Sequence, residues 1–331
     1  MRRVLKTLLA LLVLAGAAAA AGLWWINAPL PIAGATAVDL AIEPGTAPRA
    51  VAQAVADAGV PVSPDALYAW FRLSGQARQI RAGNYALEPG TTPRTLLRKL
   101  VRGEESLRTL TLVEGWNWRQ LRAALAQAPD LRPDSRALDD AALMAALGRP
   151  GVAPEGRFFP DTYTYGKGTS DLAVLARALR AMDRHLEAAW AARRSDLPLK
   201  SPDEALTLAS IVEKETGRAA DRPLIAGVFV NRLRRGMPLQ TDPTVIYGLG
   251  AAFDGNLRKR DLLTDTPWNT YTRAGLPPTP IAMPGRAALL AAVQPAQTDA
   301  LYFVARGDGS SQFSATLDAH NRAVNTYQRG Q

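Results

Sequence analysis

SPDEALTLASIVEKETG, residues 201–217, is apolar on most of its sides, and that decides what kind of domain must surround it. Ser201, Pro202, Asp203 and Glu204 have the form of a capping box with proline at the first helical position, and Gly217 offers a stop where a residue past a helix end often needs φ > 0. At roughly 100° per residue, Ala205, Leu206, Leu208, Ala209, Ile211 and Val212 cover an arc of roughly 220°, which predicts a helix buried among other elements. Thr207, Ser210 and Lys214 fill the remainder. Glu215 falls between Ile211 and Leu208 on that wheel and Glu213 between Ala209 and Leu206, so the two point roughly 160° apart. Two readings follow for carboxylates so placed. Each pairs with an arginine from another segment, or one of them, its pKa raised by desolvation, is a general acid.

Outward from this helix, the composition excludes several chemistries. The 331 residues suffice for two or three domains, and none is cysteine, which excludes disulfides, thiol nucleophiles and cysteine-ligated metals. The histidines are His185 and His320, with no HExxH pattern, and neither GxSxG nor SxxK occurs. The net charge of +9 is spread along the chain, apart from Arg2, Arg3 and Lys6, and no block argues for nucleic acid. No cofactor is implied.

Leu8 to Ile26 is an uncharged run of about the length that crosses a bilayer, preceded by those three basic residues. It predicts an anchor with a cytoplasmic N-terminus and an exported body. A cleaved signal peptide is the rival, since Ala17 to Ala21 offers small residues for cleavage. Trp24 and Trp25, closing the run as an interfacial aromatic belt, favour the anchor.

The expected organisation is α+β: an N-terminus and transmembrane helix over residues 1–27, a linker over 28–37 containing Pro29, Pro31 and Gly34, a small module over 38–105, and a larger mixed α/β domain over 106–331. The small module rests on an internal repeat. EPGTAPR at 43–49 recurs as EPGTTPR at 88–94, each after a strand-like stretch and before an apolar-periodic helix, and predicts strand, Pro-Gly turn, Thr N-cap and helix start. Two strands with helices between them match a LysM domain, a binder of N-acetylglucosamine polymers, in size and pattern, and equally suit any other small α+β domain. In the larger domain, TLTLVEGWNWRQLRAAL predicts strand, turn and helix. Residues 129–153 read as an irregular helical insertion, and EGRFFPDTYTYG at 155–166 sets four aromatic residues beside Glu155, as a sugar-stacking face or, more commonly for such clusters, as core. Leu172 to Ala192 and Arg222 to Arg235 are helices. Asp242 and Pro243 have the form of an N-cap and first-turn proline, with Gln240 and Thr241 on the loop ahead of them. WNTYTRAGLPPTPIAMPG, 268–285, is too proline-rich for helix or central strand and forms a stiff wall carrying Asn269, Thr270 and Tyr271. A helix, a strand over Ala300 to Ala305, a hairpin and a last helix close the chain.

Taken together, LASIVEKETG, VFVNRLRRGMPLQTDPTVIYGLG, WNTYTRAGLPPTPI and EGRFFPDTY closely resemble, in order, the motifs of the endolytic murein transglycosylases, the YceG-like family. The resemblance spans nearly the whole chain. It implies cleavage of the bond between N-acetylmuramic acid and N-acetylglucosamine inside peptidoglycan strands, leaving 1,6-anhydromuramic ends. It also implies a single-pass inner-membrane protein with a periplasmic catalytic domain that works beside peptidoglycan synthases. The family's catalytic glutamate, the second of its EKET motif, falls on Glu215. Glu213 then takes a supporting role, and Gln240, Thr241, Asp242, Tyr247, Asn269 and Tyr271 line the cleft by motif match. Two rivals stand beside this reading. A muramidase-type hydrolase would recruit Glu114, Glu155 or Asp242 as second carboxylate. A wall-binding scaffold would need no chemistry at all.

Overall fold

The computed structural model describes residues 2–32 and 37–328, so the middle of the expected linker, including Gly34, lies outside the described residues. The chain divides into two compact units, Met1–Arg108 with Thr164–Gly168, and Thr109–Tyr163 with Thr169–Gln331.

The first unit begins with α1 (Arg2–Asn27), whose segment Leu5–Asn27 is long and apolar enough to cross a membrane or to serve as a signal sequence. Its two tryptophans separate: Trp24 is 73% exposed, whereas Trp25 packs against the unit's core, so only the first is free to act as an interfacial anchor. Next come β1 (Val38–Ile42), α2 (Pro48–Asp57), α3 (Pro64–Leu73), β2 (Gly83–Leu87) and α4 (Pro93–Arg102). The strands pair antiparallel with Leu40 opposite Tyr85. Alternation sends Leu40, Ile42, Tyr85 and Leu87 inward onto Val51, Val55, Phe71, Leu96 and Leu100.

Both copies of the repeat turn on a left-handed glycine, Gly45 and Gly90. The repeated threonine is not the helix cap. Thr46 and Thr91 each donate hydroxyl and amide back to the carbonyl of Glu43 or Glu88, which closes the turn. Capping falls one residue later, on Ala47 in the first copy, which has no side chain for it, and on Thr92 in the second, which forms a reciprocal box with Thr95.

The chain passes into the second unit within β3 (Leu107–Thr111) and continues through α5 (Trp118–Gln127), α6 (Asp140–Ala146), β4 (Thr162–Gly166), whose residues from Thr164 fall in the first unit, α7 (Asp171–Ala191), α8 (Pro202–Glu215), α9 (Arg222–Arg234), α10 (Asp242–Leu249), α11 (Lys259–Leu263), α12 (Arg286–Val293), β5 (Tyr302–Ala305), β6 (Ser311–Ser314) and α13 (Leu317–Gln328). Among the described residues each sheet has two strands, β1 with β2, β3 with β4 and β5 with β6, so the class is α+β and the second unit lacks, among those residues, the central sheet that an α/β domain implies. Its apolar residues are concentrated in helices instead. At its centre, α8 packs against α7, α9, α10 and α12. Leu206, Leu208, Ile211 and Val212 lose all their exposure, and each contributes on the order of 2 kcal/mol by burial.

Apart from Lys214, even the polar strip of α8 is enclosed. Thr207 and Ser210 are buried, their hydroxyls donating to Asp203 O and Thr207 O, and Ser210 Oγ also accepts from Ile281 N. Two terminal details differ from expectation. Glu204 reaches the amide of Lys200, one residue before the cap, while Ser201 accepts from Glu204 N as expected. Gly217 is not left-handed. The helix ends because Thr216 turns extended, at φ −152° and ψ 135°, directly after Glu215.

Candidate active site

Because the backbone leaves the helix axis at Thr216, Glu215 is the last side chain of α8 and emerges at the rim of the core, half-buried. Its Oε1 accepts a hydrogen bond from the Thr241 hydroxyl. Thr241, not Asp242, is the N-cap residue of α10, and its hydroxyl makes no capping bond. Two other buried threonines hold it there. Thr241 N donates to Thr270 Oγ1 at 3.1 Å, Thr244 Oγ1 donates to Thr241 O at 2.7 Å, and the hydroxyls of Thr244 and Thr270 lie 2.8 Å apart. Gln240, just before, sits at φ +48° and donates its amide to Thr270 O. The proline-rich wall thus fixes the loop, and the loop fixes the hydroxyl on Glu215.

Burial pushes the Glu215 carboxyl up to about 7; the Thr241 hydroxyl opposes that, the Asp242 charge adds to it, and the Arg232 charge opposes it. Arg232 is the arginine nearest in role to the expected ion-pair partner, but its Nε donates to the carbonyl of Leu301 (2.7 Å) and its Nη1 to those of Leu239 (2.9 Å) and Pro238 (3.2 Å). It is buried, and its guanidinium lies 5.1 Å from the Tyr302 ring centroid. Asp242 is exposed, its Oδ1 accepting from the Tyr271 hydroxyl at 2.6 Å, and burial with that bond raises the Tyr271 pKa. Glu215, Arg232, Gln240, Asp242 and Tyr271 line a cleft of ≈ 620 Å³ together with Tyr302, His320 and Asn321. A carboxyl half-protonated near neutral pH, open to a polar cleft, is equipped to give up and recover a proton.

The other sequence-predicted residues are placed elsewhere. Glu213 accepts from Gly285 N at 2.9 Å, a carboxylate at the start of α12 where the helix dipole favours it, and burial raises its pKa. Glu114 crowds the same point, since a Cβ on Gly285 would lie 1.8 Å from its Oε1. Asn269 has no exposure. Its Nδ2 donates to Leu262 O and Thr264 O at the end of α11, and its Oδ1 accepts from Tyr271 N, so it holds the wall from behind. Tyr247 lines a second cleft of ≈ 530 Å³ on the other side of α10, hydrogen-bonded to Glu155. Glu155 is 5% exposed, both its oxygens accept from Trp118 N at 3.0 Å, and burial pushes it too up to about 7.

Sequence reasoning missed Arg232, Tyr302 and His320. Arg232 left one sign: it stands three and four residues after Phe229 and Val228 in a helix that is apolar on every side. Tyr302 and His320 left none, being distant in sequence.

The YceG-like family model matches residues 40–326. An endolytic murein transglycosylase of Bacillus subtilis (strain 168) is 33% identical over 311 residues, 88% of this chain and 85% of that one. One of Streptococcus pneumoniae serotype 2 (strain D39 / NCTC 7466) is 30% identical over 278 residues, which are 74% of this chain and 50% of that relative's length. The crystal structure of a yceG-like protein from Listeria monocytogenes is similar with a TM-score of 0.55 at 28% identity, covering 87% of this chain and 99% of that one. With the matched span running from β1 into α13, the chain belongs to the YceG-like family.

Proposed function

We propose that the chain is an endolytic lytic transglycosylase of peptidoglycan, with Glu215 as its single acid and base. Protonated Glu215 donates to the departing glycosidic oxygen between N-acetylmuramic acid and N-acetylglucosamine, and the C1–O bond breaks. The resulting carboxylate accepts the proton of the muramyl C6 hydroxyl as that oxygen bonds to C1, so the 1,6-anhydro ring closes without water. An intramolecular nucleophile has a high effective concentration, which is why a second carboxylate is dispensable. The observation that carries this reading is the Glu215 carboxyl, raised to about 7, oriented by Thr241 and facing a polar cleft. Gln240, Asp242 and Tyr271 orient the sugars directly, Glu213 and Asn269 support the walls, and Tyr247 acts from the second cleft.

Digestion of peptidoglycan in ¹⁸O-labelled water tests it. Unlabelled anhydromuramic ends are expected; labelled reducing ends would mean hydrolysis. One observation favours that second reading: Asp242 stands in the same cleft, close enough for its charge to raise Glu215.

The boundaries 1–27, 28–37, 38–105 and 106–331 belong to the same proposal. α1 is the single-pass inner-membrane anchor with the catalytic domain periplasmic, and peptidoglycan synthases are the partners. The order β1, α2, α3, β2 with antiparallel strands supports a LysM-like module for wall binding. Deleting 38–105 should weaken sedimentation with sacculi.

A further inference from the structure

The two clefts flanking α10 divide between chain neighbours. Glu215 lines the first and Lys214 the second; Asp242 lines the first and Pro243 the second. Consecutive Cα atoms are about 3.8 Å apart, so the two clefts border on the same backbone and lie within the span of a few sugar units of each other. The second cleft has its own character. Half-buried rings of Tyr247, Trp268 and Phe253 line it, Tyr247 meeting Trp268 edge-on at 5.4 Å. Two of those rings are held from behind, Trp268 Nε1 by Thr279 Oγ1 and the Tyr247 hydroxyl by Glu155. Its charged side chains are Arg119, Lys214 and Glu155, and the acid is buried under hydrogen bonds from Trp118 N and Tyr247. The charges it presents to solvent are therefore both positive. Arg119 is exposed at the start of α5, and Lys214 is exposed with Nζ 3.2 Å from Gly115 O.

Ring faces suit sugars, whose C–H groups are apolar. Paired cations suit carboxylates. A ligand that offers both on one unit is an N-acylated amino sugar bearing an acidic peptide. We propose that the second cleft binds the peptide-bearing sugar of the strand, with Tyr247, Trp268 and Phe253 against the sugar and Arg119 and Lys214 toward the carboxylates of its peptide stem. This rests on the function proposed above and adds to it a preference for peptide-bearing over bare strands.

The test uses full-length Glu215→Gln protein, which holds substrate without turnover, and three fragments of equal glycan length: with free peptide carboxylates, with those carboxylates amidated, and without peptide. Titration should give the free-carboxylate fragment about tenfold higher affinity than the other two. Adding Arg119→Gln and Lys214→Gln should bring the three affinities together while leaving the affinity for the bare fragment measurable. Equal affinities in the parent protein, or a preference that survives the two neutralising changes, would overturn the assignment and leave the proposed function standing. If no fragment binds and the unmutated protein releases no muropeptide from sacculi, both fall together.

Discussion

The two clefts beside α10 each hold a carboxyl group raised to about 7 by burial, Glu215 in one and Glu155 in the other, yet only Glu215 is the proposed acid. Both oxygens of Glu155 accept from one backbone N–H, a hydroxyl adds a further bond, and only 5% of the residue is exposed. Glu215 is held through one oxygen by one hydroxyl, and the cleft reaches it. A raised pKa is therefore common to a brace and to an acid. What separates them is how much of the hydrogen-bonding capacity is already used, and whether a reacting atom can approach.

Exchange of each glutamate for glutamine should split this comparison most widely. Glu215→Gln is expected to lower cleavage by about 10²- to 10⁴-fold with an unchanged circular-dichroism spectrum, and Glu155→Gln by less than about tenfold. An equal loss at both sites would break the distinction.

In stability the two should behave alike. Each carboxyl rises from an ordinary 4.5 to about 7, so the native protein keeps protons that the unfolded chain has released between those values. Stability should be highest below that window, fall as pH rises through it, and level off above about 7. The fall from Glu155 is on the order of 3 kcal/mol. Urea melts from pH 4 to 8 should show a shallower slope for either glutamine variant.

A smaller effect concerns orientation. The Thr241 hydroxyl favours ionised Glu215, so Thr241→Val should move the alkaline limb of the pH–rate profile to higher pH and lower the rate roughly tenfold. An unmoved limb would mean that the hydroxyl only packs. Smallest of all, Tyr247→Phe should cost about 1 kcal/mol of stability by removing a bond to Glu155. Tyr271→Phe, which frees Asp242, should affect rate more than stability.

Local signals made much of the second unit legible. Ser201, Pro202 and the apolar arc mark α8 because capping and burial are properties of a few adjacent residues. The same wheel gave Glu213 and Glu215 different directions, but direction alone does not say what arrives there. Gly285 comes from 72 residues beyond Glu213, and Thr241 from 26 beyond Glu215. Asn269, on a polar and proline-rich loop, looked like a contact residue. It is buried because carbonyls at the end of α11 lack helical partners and its amide supplies donors to them. In the EPGT repeat the composition alone points the threonine to the cap, whereas its short side chain is in reach of the turn's own carbonyl.

The division of Lys214 and Glu215 between two clefts also bears on which sequence changes α8 tolerates. Each helical residue advances about 100°, so losing one residue upstream would turn Glu215 toward the cleft that Lys214 now lines. Gaining one would present the lysine where the acid stands. Relatives should therefore differ in α8 by replacement and keep the length from Ser201 to Glu215, because here an indel exchanges an acid for a base instead of merely shifting a contact.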